Sequence, residues 1–190
     1  MRVASLAFAA ALAAVFVSTQ AAAQAVEERS FEIEGETLRY TLRTHPADAH
    51  RFAHPSDEAA QLSPGSALDT AKLLNQYLAA GKIEDAALLS NSPKRRYAVL
   101  QDYQQEVGEE EFRRVFSQYS YPENRLAAEI TIGAHTLLIW YLAQDHRYAG
   151  LFFMQIEGRA LMDDVPSETR SQLRRLLEAY RAGEIRAATR

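Results

Sequence analysis

No cysteine occurs anywhere in the 190 residues. That excludes a disulfide framework, thiol catalysis and a cysteine-acylated lipid anchor, so the domain must be held together by its apolar core. Glycine and proline are sparse, at 8 and 6 residues. No glycine-rich phosphate loop, Gly-x-Ser-x-Gly elbow or His-Glu-x-x-His motif is present, which removes the commonest nucleotide-binding, hydrolase and metalloprotease signatures. An excess of positive charge is also lacking. The 21 Lys and Arg are outnumbered by 25 Asp and Glu, for a net charge of −4. A general nucleic-acid binder presents a basic face, so nucleic acid is not an expected partner.

Only one long uncharged apolar run exists, Val3 to Val17 near the N-terminus. Met1-Arg2 gives it a positive start. Ala21-Ala22-Ala23 and Ala23-Gln24-Ala25 offer small-residue cleavage sites beyond it, which is the tripartite pattern of a secretory signal peptide. Residues 1–25 are therefore expected to be removed, leaving a periplasmic or secreted domain over residues 26–190. No transmembrane anchor is expected, because no later run is long and apolar enough. Arg2 is the only charge in the signal, so the mature chain is one unit more negative than −4. Ala- and Arg-rich usage with a signal and no cysteine suits a bacterial periplasm. Roughly 165 mature residues suffice for one sizeable core.

The richest stretch runs from Leu126 to Asp163. Leu126, Ala128, Ile130 and Ile132 alternate with less apolar neighbours, the period of a strand with one apolar face. Gly133-Ala134, Gln144 to Arg147 and Glu157-Gly158 are turns. They separate strands over His135–Leu142, Tyr148–Ile156 and Arg159–Met162. The spacing predicts a four-stranded antiparallel meander. Its middle strands are apolar on both parities, with Leu138, Trp140, Leu142, Leu151 and Phe153 on one and Leu137, Ile139, Tyr141, Phe152, Met154 and Ile156 on the other. A sheet with one wet face alternates more cleanly, so both faces are expected to meet something apolar.

Phe31 to Arg43 predicts a β-hairpin with its turn at Glu34-Gly35-Glu36, docked on the main sheet or across its second face. Thr44 to Gly65 is a loop or linker. His45, His50 and His54 fall in it, but their spacing matches no common zinc motif, so no metal is expected. Helices follow. Ser66 is the expected N-cap of the first and Gly81 its C′ residue; a short one covers Ile83–Leu89; Ser92-Pro93 starts a third that Gly108 breaks. Phe112, Val115, Phe116 and Tyr119 form a one-sided stripe on the next helix. A last helix carries Leu173, Leu176, Leu177 and Tyr180, ends at Gly183, and leaves residues 184–190 as a frayed tail. Both apolar stripes are expected on the same sheet face. The other is left for a ligand, a second copy, or chain such as Arg51 to Leu62.

The fold class is thus α+β: an N-terminal hairpin, several helices, a four-stranded meander and a C-terminal helix. A catalytic set is missing. His135 is the one catalytic candidate, near the start of an apolar strand with no acid visible beside it in sequence. Asp163 and Asp164 are adjacent, so on a strand they point to opposite faces and cannot form a dyad; capping of the last helix is their expected role. Glu129 and Glu157 are expected outward. No cofactor is expected.

Helices followed by an apolar meander, from about Ser66 to Asp163, resemble the NTF2-like (cystatin-like, SnoaL-like) α+β group by element order. The resemblance implies a curved sheet wrapped around a helix with a conical apolar pocket. A second likeness, to periplasmic lipid-carrier proteins, implies a sheet over an apolar cavity. The favoured expectation is a non-catalytic binding or accessory domain for a hydrophobic small molecule, a lipid or a protein partner. Leu137, Ile139, Tyr141, Phe152 and Met154 are its expected ligand-binding residues. Two alternatives are a small enzyme using His135 and a structural homodimer joined sheet to sheet.

Overall fold

The computed structural model describes residues 26–33, 35–45 and 62–185. A hairpin of β1 (Val26–Ile33) and β2 (Glu36–Thr44) comes first. The helices α1 (Ala67–Ala79), α2 (Ile83–Ala87), α3 (Pro93–Val107) and α4 (Glu109–Ser117) follow. Then come β3 (Arg125–Ile132), β4 (His135–Leu142), β5 (Arg147–Ile156), β6 (Arg159–Met162) and α5 (Glu168–Arg181). The architecture is α+β, and the four-strand expectation was too small. The strands form a single six-stranded sheet in the order β1-β2-β3-β4-β5-β6, antiparallel throughout. The hairpin docks edge-on, with Thr41 opposite Thr131 and Thr44 opposite Ala128. Edge addition aligns its apolar row of Leu38, Tyr40 and Leu42 with the apolar face of β3, where all three are buried.

The local signals account for most element ends. Ser66 accepts a hydrogen bond from the Asp69 backbone N–H and caps α1. Gly81, at φ 73°, follows its last turn. Pro93 occupies the first turn of α3. Between β5 and β6, Glu157 and Gly158 take φ values of 48° and 78°, the type I′ hairpin geometry that matches strand twist.

One parity in β3 departs from the period-2 reading. The register slips between Leu126 and Ala128, a bulge that puts two residues opposite one step of β4. Leu126 therefore packs with Trp140 and the N-terminal helices, whereas Ala128, Ile130 and Ile132 pack on the other face. A strict alternation places all four together and is wrong here.

The two faces are covered by different helices. Leu73, Leu74 and Leu78 of α1, Leu100 of α3 and Phe112 of α4 pack on Leu138, Trp140, Leu142, Phe153 and Met162. Leu173, Leu176 and Leu177 of α5 pack on Leu137, Ile139, Ala128, Ile130 and the hairpin row. The expectation that both stripes share a face is thus corrected. The four-residue connection after Asp163 carries the chain across to the second face, and the apolar supply there comes from α5. The tail also differs. Ile185 is buried against this second cluster, and the N–H groups of Glu184 and Ile185 both reach the Ala179 carbonyl, while residues 186–190 lie outside the described residues.

Gly150 sits close beneath α5. A Cβ there would lie 2.5 Å from Leu177 Cδ2 and 3.0 Å from Leu137 Cδ1, and both leucines are buried. Gly150→Val is therefore expected to cost about 1–3 kcal/mol by lifting α5 off the sheet. Urea melts check this, and Leu177→Ala in the same chain should recover part of the loss; an unchanged midpoint for Gly150→Val would contradict the close approach.

Candidate functional site

The polar centre of the molecule lies where the α2–α3 connection meets the exposed edge of β6. The edge is satisfied there by backbone: Met162 donates to the Leu89 carbonyl at 2.7 Å, and Asn91 donates to the Met162 carbonyl at 2.9 Å. Ala160 donates to the Pro64 carbonyl, and Thr70 Oγ1 donates to the Ala160 carbonyl at 2.6 Å. These contacts fix Ser90, Asn91 and the two aspartates relative to each other.

Asp163 and Asp164 then diverge, as their adjacency requires. The Asp163 side chain is 2% exposed. One of its oxygens accepts from Asn91 Nδ2 at 2.8 Å, and the other lies 3.0 Å from His135 Nδ1. Asp164 turns the other way. Arg96 holds it with two N–H groups at 2.8 and 2.5 Å, Ser90 Oγ donates to it at 2.6 Å, and its N–H donates to Asn91 Oδ1 at 2.8 Å. Neither aspartate caps α5. Ser167 does so, accepting from the Arg170 N–H at 3.1 Å, because the helix starts only after the Val165-Pro166 step.

His135 thus has an acid partner that its sequence neighbourhood concealed. Register would have revealed it. His135 pairs with Met154, and Met154 with Leu161, so Asp163, two residues further on, falls on the same face. Asn91 and Arg96 carried no such signal, because they come from a helix connection.

The five residues expected to bind a ligand lie on the sheet face that α5 covers. Leu137 and Ile139 are fully buried beneath it. Tyr141 packs its ring 5.4 Å from that of Tyr148, under the Arg125 guanidinium. Phe152 lies under the Arg170 guanidinium, 5.5 Å from the ring centre, and Met154 is half-buried. Leu137 and Ile139 thus have no free surface, because α5 has taken their face.

The cavities lie elsewhere. One of about 110 Å³ opens between the helices and the Trp140 face of the sheet. Leu74 and Leu78 of α1, Leu100 of α3, Phe116 and Tyr119 line it, with Leu151 and Met162 as its floor. Asn75 and Arg96 are its polar groups, and Asn75 Nδ2 already donates to Ser120 Oγ. A second, of about 140 Å³, is lined by Arg95, Arg96, Val99, Asp164 and Arg170. A wider, shallow groove over the hairpin mixes both charges through Glu28, Arg29 and Arg39.

Of the three linker histidines, His50 and His54 lie outside the described residues. His45 is buried, with Nε2 3.8 Å from a Glu129 oxygen that also meets Arg43 at 3.4 Å, so Glu129 is half-buried rather than turned to solvent. Among the described residues no group of three His, Asp or Glu could hold a metal. No helix among them is long and apolar enough to cross a membrane.

Comparison with protein-family models, with curated proteins and with solved structures finds no match to this chain.

Proposed function

We propose that this chain is an exported, non-catalytic binding module that holds a small apolar group between its helical layer and its sheet. The observation that supports this reading is the apolar cavity floored by Leu151 and Met162. The sheet face is the Trp140 face rather than that of Leu137 and Ile139. The NTF2-like resemblance points the same way, since that group places its pocket between helices and a curved sheet. The volume bounds the ligand. An enclosed cavity of roughly 150 Å³ accepts benzene, so an open cleft of about 110 Å³ holds at most one small ring or a short branched chain and cannot enclose a full acyl chain.

Toluene provides the test. Titrated into the mature protein, it should shift the methyl resonances of Met162 and Leu100. Leu100→Phe should fill the space and abolish the shift. No shift at saturating toluene, or one that survives Leu100→Phe, would reject the cavity as a binding site. Light scattering on the same sample addresses the homodimer alternative. For export, N-terminal sequencing of periplasmic protein should find Gln24 or Val26 first, and an intact Met1 on exported protein would rule out cleavage.

The enzyme alternative draws on the bond between His135 and buried Asp163, the arrangement that orients an imidazole for proton transfer. His135 does not line any of the three cavities described, which is why binding is the preferred reading.

A further inference from the structure

The geometry points to an oxyanion site in the cavity between the first turns of α3 and α5, for a phosphate or carboxylate group. Three arginines, Arg95, Arg96 and Arg170, line that cavity together with one acidic residue, Asp164. The Asp164 carboxylate is already engaged by Arg96 and Ser90. Among the described residues Arg95 reaches only the Asp164 backbone carbonyl, at 3.4 Å. Arg170 stacks on Phe152, and its Nε is buried with no hydrogen-bond partner among the described residues. The other acids nearby are committed elsewhere. Asp163 faces His135 and Asn91, and Glu168, in the first turn of α5, lies 3.5 Å from Arg175.

Arg95 and Arg170 stand in the first turns of their helices, each three residues after the N-cap. Both helices point their positive ends toward this region, where a cation is disfavoured and an anion favoured. An oxyanion in the cavity would accept from the two guanidinium forks, the geometry that planar arginine suits best. Val99 supplies the one apolar wall. The site stands apart from the toluene cavity. Arg96 contributes to the walls of both, but anion binding requires no apolar group, so either proposal can fail alone.

The test uses mature full-length protein in dilute, phosphate-free buffer, titrated with inorganic phosphate by calorimetry. Wild type should bind one phosphate. Arg170→Gln and Arg95→Gln should each weaken it about tenfold, the loss expected for one hydrogen bond to a charged group. Arg95 makes a single long hydrogen bond, so its variant should fold even if the Arg170 variant does not. Arg159→Gln, on β6, should bind as wild type. A second arm adds phosphatidylglycerol or phosphatidylcholine vesicles. Retention on the anionic vesicles alone, lost in Arg95→Gln, would identify a lipid headgroup as the source of the anion; phosphate binding without it would identify a free anion. Binding of neither, or binding unchanged in both arginine variants, would overturn the site.

Discussion

Trp140→Ala is expected to destabilise the protein by about 3–5 kcal/mol, the usual cost of emptying a large aromatic site in a packed core. Trp140 has 0% exposure and stands mid-strand between Leu126 on β3 and Ala149 on β5. Helices α1, α3 and α4 close over its face, so little can collapse into the void. A small domain has about 5–15 kcal/mol in total, and the variant should be partly unfolded in mild urea. It is the only tryptophan, so both proteins must be followed by far-UV circular dichroism rather than fluorescence. A loss below about 1 kcal/mol would mean that this face is not the principal core.

Asp163→Ala should cost about 3 kcal/mol, although it removes no apolar surface. The effect comes from what is left behind. Asn91 Nδ2 and His135 Nδ1 would each lose an acceptor in a place water barely reaches, since the His135 side chain is only 13% exposed. Asp163→Asn keeps the shape and one acceptor, and should lose less. His135→Ala should also destabilise, because it strands one oxygen of the 2%-exposed Asp163 carboxylate while the other still holds Asn91. A double-mutant cycle between Asp163 and His135 should return a coupling of about 1 kcal/mol or more. Additive losses would show that the bond to Asn91 alone accounts for the carboxylate, and would remove the footing of the enzyme alternative.

Much of the secondary structure was legible because its signals are local. Ser66, Gly81, Pro93 and the Glu157-Gly158 turn each act within a few residues. β4 and β6 were predicted at their observed bounds. The bulge at Leu126–Ala128 was not visible, because a bulge leaves the composition of a strand unchanged and appears only in its pairing. The His135–Asp163 bond was within reach of register counting but not of proximity along the chain. Asn91 and Arg96 were out of reach, as helix connections have no period that predicts what they will touch.

The apolar parities of β4 and β5 required in advance that both sheet faces be covered, for burial follows from side-chain chemistry and alternation alone. Which segment covers each face is a different matter. The helix stripes of Phe112 and Leu173 are both apolar, and nothing in their composition assigns them to a side. Chain path makes that assignment: α1 to α4 enter before the meander and settle on the Trp140 face, while the turn after Asp163 delivers α5 to the face of Leu137 and Ile139. The cavity follows that choice, since it lies between α1, α3 and α4 and the Trp140 face of the sheet rather than over Leu137 and Ile139.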